Sequence, residues 1–230
     1  MTLMCLSRAA VCVIVAVSCL PLAGCSTWKK LTTSQKALAE ERKYGPTAEQ
    51  RIEELAAESK RAKAGGHADQ VEFTRTLADE ILSEHDARVR SVILQTAADF
   101  DTPAAKAICA GALEDPDERV RMAACSAWRK RGGSEAVEQL STRYRTDREI
   151  DVRLRALREL GELGDKEAVP VLAKALEDPD PAVQYRAVAA LKKVSGRDLG
   201  DDVNKWREWA ADPDGTAAEW TIAEGFRQLF

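Results

Sequence analysis

Asp86-Ala87-Arg88-Val89-Arg90 returns along the chain in altered form. Its successors are Asp117-Glu118-Arg119-Val120-Arg121, Glu149-Ile150-Asp151-Val152-Arg153 and Asp180-Pro181-Ala182-Val183-Gln184. The four valines are 31, 32 and 31 residues apart. A period of this length marks one supersecondary unit repeated in space, so the chain is read unit by unit rather than as one mixed core.

Each unit has the same internal pattern. Four residues after the valine come Ile93, Ala124, Ala156 and Ala187; five after come Leu94, Cys125, Leu157 and Val188; eight after come Ala97, Trp128, Leu160 and Leu191. These offsets lay one apolar stripe along a helix. A break follows at Asp101-Thr102-Pro103, Gly132-Gly133, Gly164-Asp165 and Gly196. After the first three breaks a second helix is expected, with Ile108, Cys109 and Leu113, then Val137 and Leu140, then Val171, Leu172 and Leu176 facing inward. Pro116 and Pro179 turn the chain out of these helices, and Asp117 stands where it can cap the next. Arg90, Arg121 and Arg153 follow their valines and can reach the capping acids of neighbouring units. Ala, Leu, Glu and Arg dominate the composition, and strand-like alternation is absent outside the first 25 residues. The expected class is all-α. Two helices cannot bury both apolar faces alone, so the units must stack into an α-solenoid.

Before the first valine, Thr47 opens a helix with Gln50 three residues on, the spacing of a capping box. Ile52, Leu55 and Ala56 give it a stripe, and Gly65-Gly66 ends it. A second helix carries Val71, Phe73, Leu77, Ile81 and Leu82. These residues and motifs resemble the HEAT repeats, in the short bacterial form also found in phycobilisome lyase subunits. The resemblance, D-x-x-V-R-x-x-A followed by A-x-x-L-x-x-A-L-x-D-x-D, covers about 47–196. Gln184 departs from it in place of Arg, and Tyr144 in place of Leu. It implies a scaffold that holds a protein along the concave face of the solenoid.

Residues 1–24 are read as a signal peptide. Arg8 is their single charge, and the apolar run over 9–20 is too short for a spanning helix. Leu22-Ala23-Gly24-Cys25 resembles the lipobox of bacterial lipoproteins. By that resemblance Leu22, Ala23 and Gly24 are the signal-peptidase recognition residues. Cys25 receives diacylglycerol on sulfur and then a further, palmitate-type acyl chain on its new amino group. No other cofactor is expected. Ser26 stands where such lipoproteins carry Asp when they stay at the inner membrane, so the resemblance places the chain on the outer membrane, facing the periplasm. Residues 25–46 then form a stalk ending at Tyr44-Gly45-Pro46. The whole chain also resembles envelope lipoproteins that share Tyr-Gly-Pro-Thr at this point and Gly-x-Asp-Leu-Gly-Asp-Asp-Val-x-x-Trp after the repeats; that likeness implies no activity.

Residues 197–230 are read as a helical cap. A helix over 201–211 carries Val203, Trp206 and Trp209, a turn follows at Asp212-Pro213-Asp214-Gly215, and a last helix carries Trp220, Ile222, Phe226 and Leu229. Either the aromatics here cover the open end of the solenoid, or some of Trp206, Trp209 and Trp220 form a partner-binding patch, with Trp206 and Trp209 the candidates.

Net charge is −4, a poor basis for nucleic-acid binding, and its distribution is uneven. Residues 119–158 hold 11 basic and 5 acidic side chains. Arg129, Lys130, Arg131, Arg143, Arg145, Arg148, Arg155 and Arg158 cluster there. They are either solvated helix faces or a docking surface for an acidic protein, anionic lipid or cell-wall polymer; Arg129, Arg131, Arg143, Arg145 and Arg155 are the candidates for partner contact.

Catalytic groups are not in evidence. Cys109 and Cys125 fall on core offsets, as buried thiols or as a disulfide. His67 and His85 have no ligand spacing to each other or to the cysteines. No phosphate-binding loop or nucleophile elbow is present. The expected partners are an envelope protein and, through the lipid, a membrane, with no nucleic acid, metal or small-molecule substrate. A bilin-lyase type of enzyme subunit is implied by the repeat resemblance alone, and the lipobox argues against it.

Overall fold

The asymmetry between the two helices of each unit determines how the chain stacks. The structure, a computed structural model, describes residue 43 and residues 45–213. The signal peptide, Leu22, Ala23, Gly24, Cys25, most of the stalk and the helix expected around Trp220 lie outside the described residues. Ten α-helices and no strand occur among the described residues. They are α1 (Ala48–Ala64), α2 (His67–Ser83), α3 (Ala87–Ala97), α4 (Pro103–Gly111), α5 (Glu118–Arg131), α6 (Gly133–Thr146), α7 (Ile150–Leu163), α8 (Val169–Ala175), α9 (Pro181–Ser195) and α10 (Val203–Ala211). Short 3-10 turns at Ala112–Glu114 and Lys166–Ala168 extend α4 and precede α8.

The odd-numbered helices form one layer and the even-numbered helices the other. The four valines and the residues four, five and eight positions beyond them are all buried, none more than 2% exposed. One sequence offset thus becomes one continuous core, the all-α solenoid that the period requires. Neighbouring odd helices pack against each other from α1 to α9, whereas α6 is not closely packed on α4 or α8. The odd layer is therefore packed without interruption from α1 to α9. Gly161 shows how close that layer is: a Cβ placed on it would lie 2.7 Å from the Ala190 Cα on α9.

Local signals end and start the helices where the sequence places them. The side chains of Asp86, Asp117, Asp180 and Asp202 each accept a hydrogen bond from a backbone N–H two residues on, capping α3, α5, α9 and α10. Thr102 caps α4, accepting from the Ala105 N–H, with Pro103 in its first turn. Gly164 and Gly196 close α7 and α9 in the left-handed region at φ 70° and 67°, where a side chain would be strained.

Two local expectations need correcting. In α1 the buried stripe is Leu55, Ser59 and Ala62, while Ala56 faces solvent. In α2, Leu77 is buried but Leu82 is 86% exposed, at the rim of a hollow between α2 and α4 that no side chain among the described residues fills. Helix α10 packs on both α8 and α9, in the position a second helix of the last unit would take. No helix among the described residues is long and apolar enough to cross a membrane.

Candidate functional site

Many of the arginines serve the packing of the array itself. Arg90 donates to both carboxylate oxygens of Asp115, each at 2.8 Å, and Arg121 donates to Asp147 at 2.8 and 3.1 Å. Arg153 pairs with Asp178. Each acid belongs to the following unit and also accepts the backbone N–H two residues ahead, on Asp117, Glu149 and Asp180. The same arginines reach back to the carbonyl six residues earlier: Arg90 to Glu84 and Arg121 to Asp115. The two departures from the repeat pattern fit this ladder. Gln184 donates to the Asp178 carbonyl at 2.7 Å, keeping the backbone contact in the last unit. Tyr144 lies under the Arg153 guanidinium, 5.6 Å from ring centroid to cation, with its hydroxyl 3.5 Å from Asp178.

Asp147 has 1% side-chain exposure. Burial pushes its carboxyl up, but hydrogen bonds from Arg121, the Glu149 N–H and Arg143 together outweigh that and hold it below the usual carboxylate range. Asp115 behaves in the same way, with burial opposed by Arg90 and the Asp117 N–H.

The candidate partner-contact arginines separate once placed. Arg143 is not on an open face: its side chain is 8% exposed and pairs with Asp147 and Glu114. Arg131 donates to the Phe100 carbonyl at 3.1 Å and pairs with Asp101, with its side chain 15% exposed. Arg129 and Arg155 both pair with Glu159, at 2.7 and 3.3 Å, and this nearly buried carboxylate also accepts from Ser126. Arg145 is exposed on α6 and bonds only Thr142 among the described residues. Trp206 is fully buried, not a surface patch, and donates to the Gly200 carbonyl at 2.8 Å. Trp209 packs edge-on against it at 5.6 Å, half-covered, with its indole nitrogen buried and unbonded among the described residues.

Cationic groups with little neutralisation lie elsewhere, on the outer side of α7 and α9. A groove of about 200 Å³ between these helices is lined by Arg158, Glu162, Arg186, Ala189, Ala190 and Lys193. Arg158 is exposed and makes no hydrogen bond or ion pair among the described residues. The Arg186 Nε is buried and likewise lacks an acceptor. Lys193 bonds Glu162, whose carboxyl is lowered first by that bond, against a small opposing effect of desolvation, and further by the charges of Arg158 and Arg129. Tyr185, one turn before Ala189 on α9, is 62% exposed, and Met122 and Leu154, partly buried and packed against the core, hold the same register in the preceding two units. A window count of charge misses Arg186 and Lys193, because it cannot tell which arginines meet an acid about thirty residues away. The repeat register contains the signal: the positions two, three and six after each valine form the outward ridge of the odd layer.

A second surface is apolar. Ala78, Ile81, Leu82, Ala107 and Ile108 line a hollow of about 310 Å³ between α2 and α4.

Cys109 and Cys125 are buried free thiols. Desolvation pushes them up to about 11 and about 12, with the charges of Arg131 and of Arg143 opposing it weakly. His67 and His85 are exposed on separate elements. No group of three or more potential metal ligands occurs among the described residues.

A comparison with curated proteins finds no match. The family model for HEAT repeats matches residues 74–153 and 137–223, running through the repeats and past α10. With more than half of its length so matched, and with the two-layered helical array in place, the chain belongs to the HEAT repeats.

Proposed function

We propose that this chain is an envelope lipoprotein, anchored through lipid on Cys25, whose HEAT-repeat array is a scaffold that holds a protein partner. The observation that carries the reading is the odd-helix face. It carries an apolar side chain at one register position in three units, Met122, Leu154 and Tyr185, joined in the last two by Arg155, Arg158 and Arg186. Such extended surfaces are what repeat arrays offer to partners. The anchor rests on Leu22-Ala23-Gly24-Cys25 behind a short apolar run, and Ser26 supports the outer membrane, facing the periplasm. Two or three acyl chains hold a protein at a bilayer where one does not. A binding role is supported by the repeat array itself, the type of fold that offers extended surfaces to partners.

Metabolic labelling with an alkyne fatty acid tests the anchor. The wild-type chain is expected to take the label and fractionate with outer membranes, and C25S to lose the label and accumulate with its signal peptide uncut. Labelling of C25S equal to wild type removes the lipoprotein reading. Photo-crosslinkers placed in living cells along the odd-helix face test the scaffold. Protein adducts are expected, and adducts with lipid or cell-wall material alone would replace the scaffold with a structural tether.

A further inference from the structure

The α7–α9 groove combines three features that define a ligand. Arg158 and Arg186 make no ion pair with a carboxylate among the described residues, and the one acid lining the groove, Glu162, is bonded to Lys193 and feels Arg158 only through its charge. The Arg186 Nε is removed from solvent without an acceptor among the described residues, a costly state, and the same side chain lines the groove. Leu154 lies one helical turn before Arg158 on α7, and Tyr185 one turn before Ala189 on α9, so each adds apolar surface on the same helix face as a residue of the groove.

We propose that this groove is the docking site for an acidic segment of the partner protein, placing carboxylates on Arg158 and Arg186 and an apolar side chain against Leu154 and Tyr185. The proposal rests on the scaffold reading and names the chemistry of its partner. Arginine forks match carboxylates in a planar, two-bonded geometry, which favours a discrete acidic side chain. A uniform polyanion fits less well. Glu162 stands among the groove cations and repels a continuous line of negative charge, while Tyr185 and Leu154 offer such a polymer nothing. A peptide that alternates acidic and apolar residues meets both parts of the surface. Arg145, on the even layer, takes no part.

The full mature chain, reconstituted in zwitterionic nanodiscs, is titrated with a short fluorescent peptide of Glu, Leu and Tyr. Polyglutamate of equal charge and phosphatidylglycerol vesicles serve as competitors. The mixed peptide is expected to bind about tenfold more tightly than polyglutamate, and R158E/R186E to weaken it by at least about tenfold, with R145E without effect. The neutral pair R158Q/R186Q gives the same ordering at smaller amplitude and serves if the charge reversal disturbs folding. Equal binding by wild type and both double variants overturns the proposal, as does polyglutamate or phosphatidylglycerol displacing the peptide at equal or lower concentration. In cells, crosslinkers at Tyr185 and Ala189 are compared with one at Leu82. Adducts at the groove that map to an acidic, apolar segment and vanish in R158E/R186E support the inference. Protein adducts at Leu82 alone overturn it and leave the scaffold standing. Absence of protein adducts at all three positions overturns both.

Discussion

Asp147 accepts from Arg121, Arg143 and the Glu149 N–H while almost fully buried, so its neighbours depend on its charge. Removing one partner of a buried pair leaves the others desolvated without compensation. Asp147→Asn keeps the shape and is expected to cost about 3 kcal/mol in urea unfolding. The folded carboxyls of Asp147 and Asp115 lie below their unfolded value of about 3.9. Their contribution is therefore complete above that pH and lost as pH falls through the folded values. Stability is expected to drop in acid below about pH 4, and D147N to flatten that limb, as read from unfolding midpoints across pH. The thiols give a second check at this scale. Cys109 and Cys125, buried with pKa values pushed to about 11 and about 12, are expected to resist a maleimide in the native chain and to react on unfolding. Rapid native labelling, followed by mass spectrometry, would contradict that placement.

Between elements, the tightest constraint is the approach of α7 to α9 at Gly161 and Ala190. Glycine inside a helix costs up to about 1 kcal/mol against alanine, so propensity alone makes Gly161→Ala stabilising. The added Cβ, however, would stand 2.7 Å from a backbone Cα and 2.8 Å from the Ala190 Cβ, and neither can rotate away. Overpacking of this kind costs about 1–3 kcal/mol and outweighs the gain. G161A is expected to lower the thermal midpoint, and an unchanged or raised midpoint would show that α7 and α9 separate freely. This spacing also sets the width of the proposed docking groove, so the same variant reports on the groove geometry. Capping acts at the same scale: Asp117 and Asp180 tie each turn to its helix, and the ladder from Arg90 to Asp178 ties each turn to the next.

Across the whole array, stability is a sum of units and their nearest-neighbour contacts, so damage at one end stays local. Trp206 is fully buried where α10 packs on α8 and α9. Trp206→Ala removes a large packed ring and is expected to cost about 3–5 kcal/mol. Hydrogen exchange is expected to quicken in α9 and α10 and to leave α3 unchanged; uniform acceleration would mean that the array unfolds as one body. The all-α stacking, the helix starts and stops and the buried offsets from Val89 to Leu191 were legible along the chain, because helical periodicity, capping acids and glycine breaks are local signals. The candidate site was legible only in part. Arg129, Arg131 and Arg143 belong to a basic stretch of sequence, yet folding brings them to Glu159, Asp101, Glu114 and Asp147. Arg158 and Arg186, 28 positions apart, are left together on one groove. Trp206 likewise gives no hint along the chain of whether it faces solvent or core. Order along a helix follows from neighbouring residues, whereas the neutralisation of a charge and the covering of a ring depend on atoms that stacking brings from another repeat.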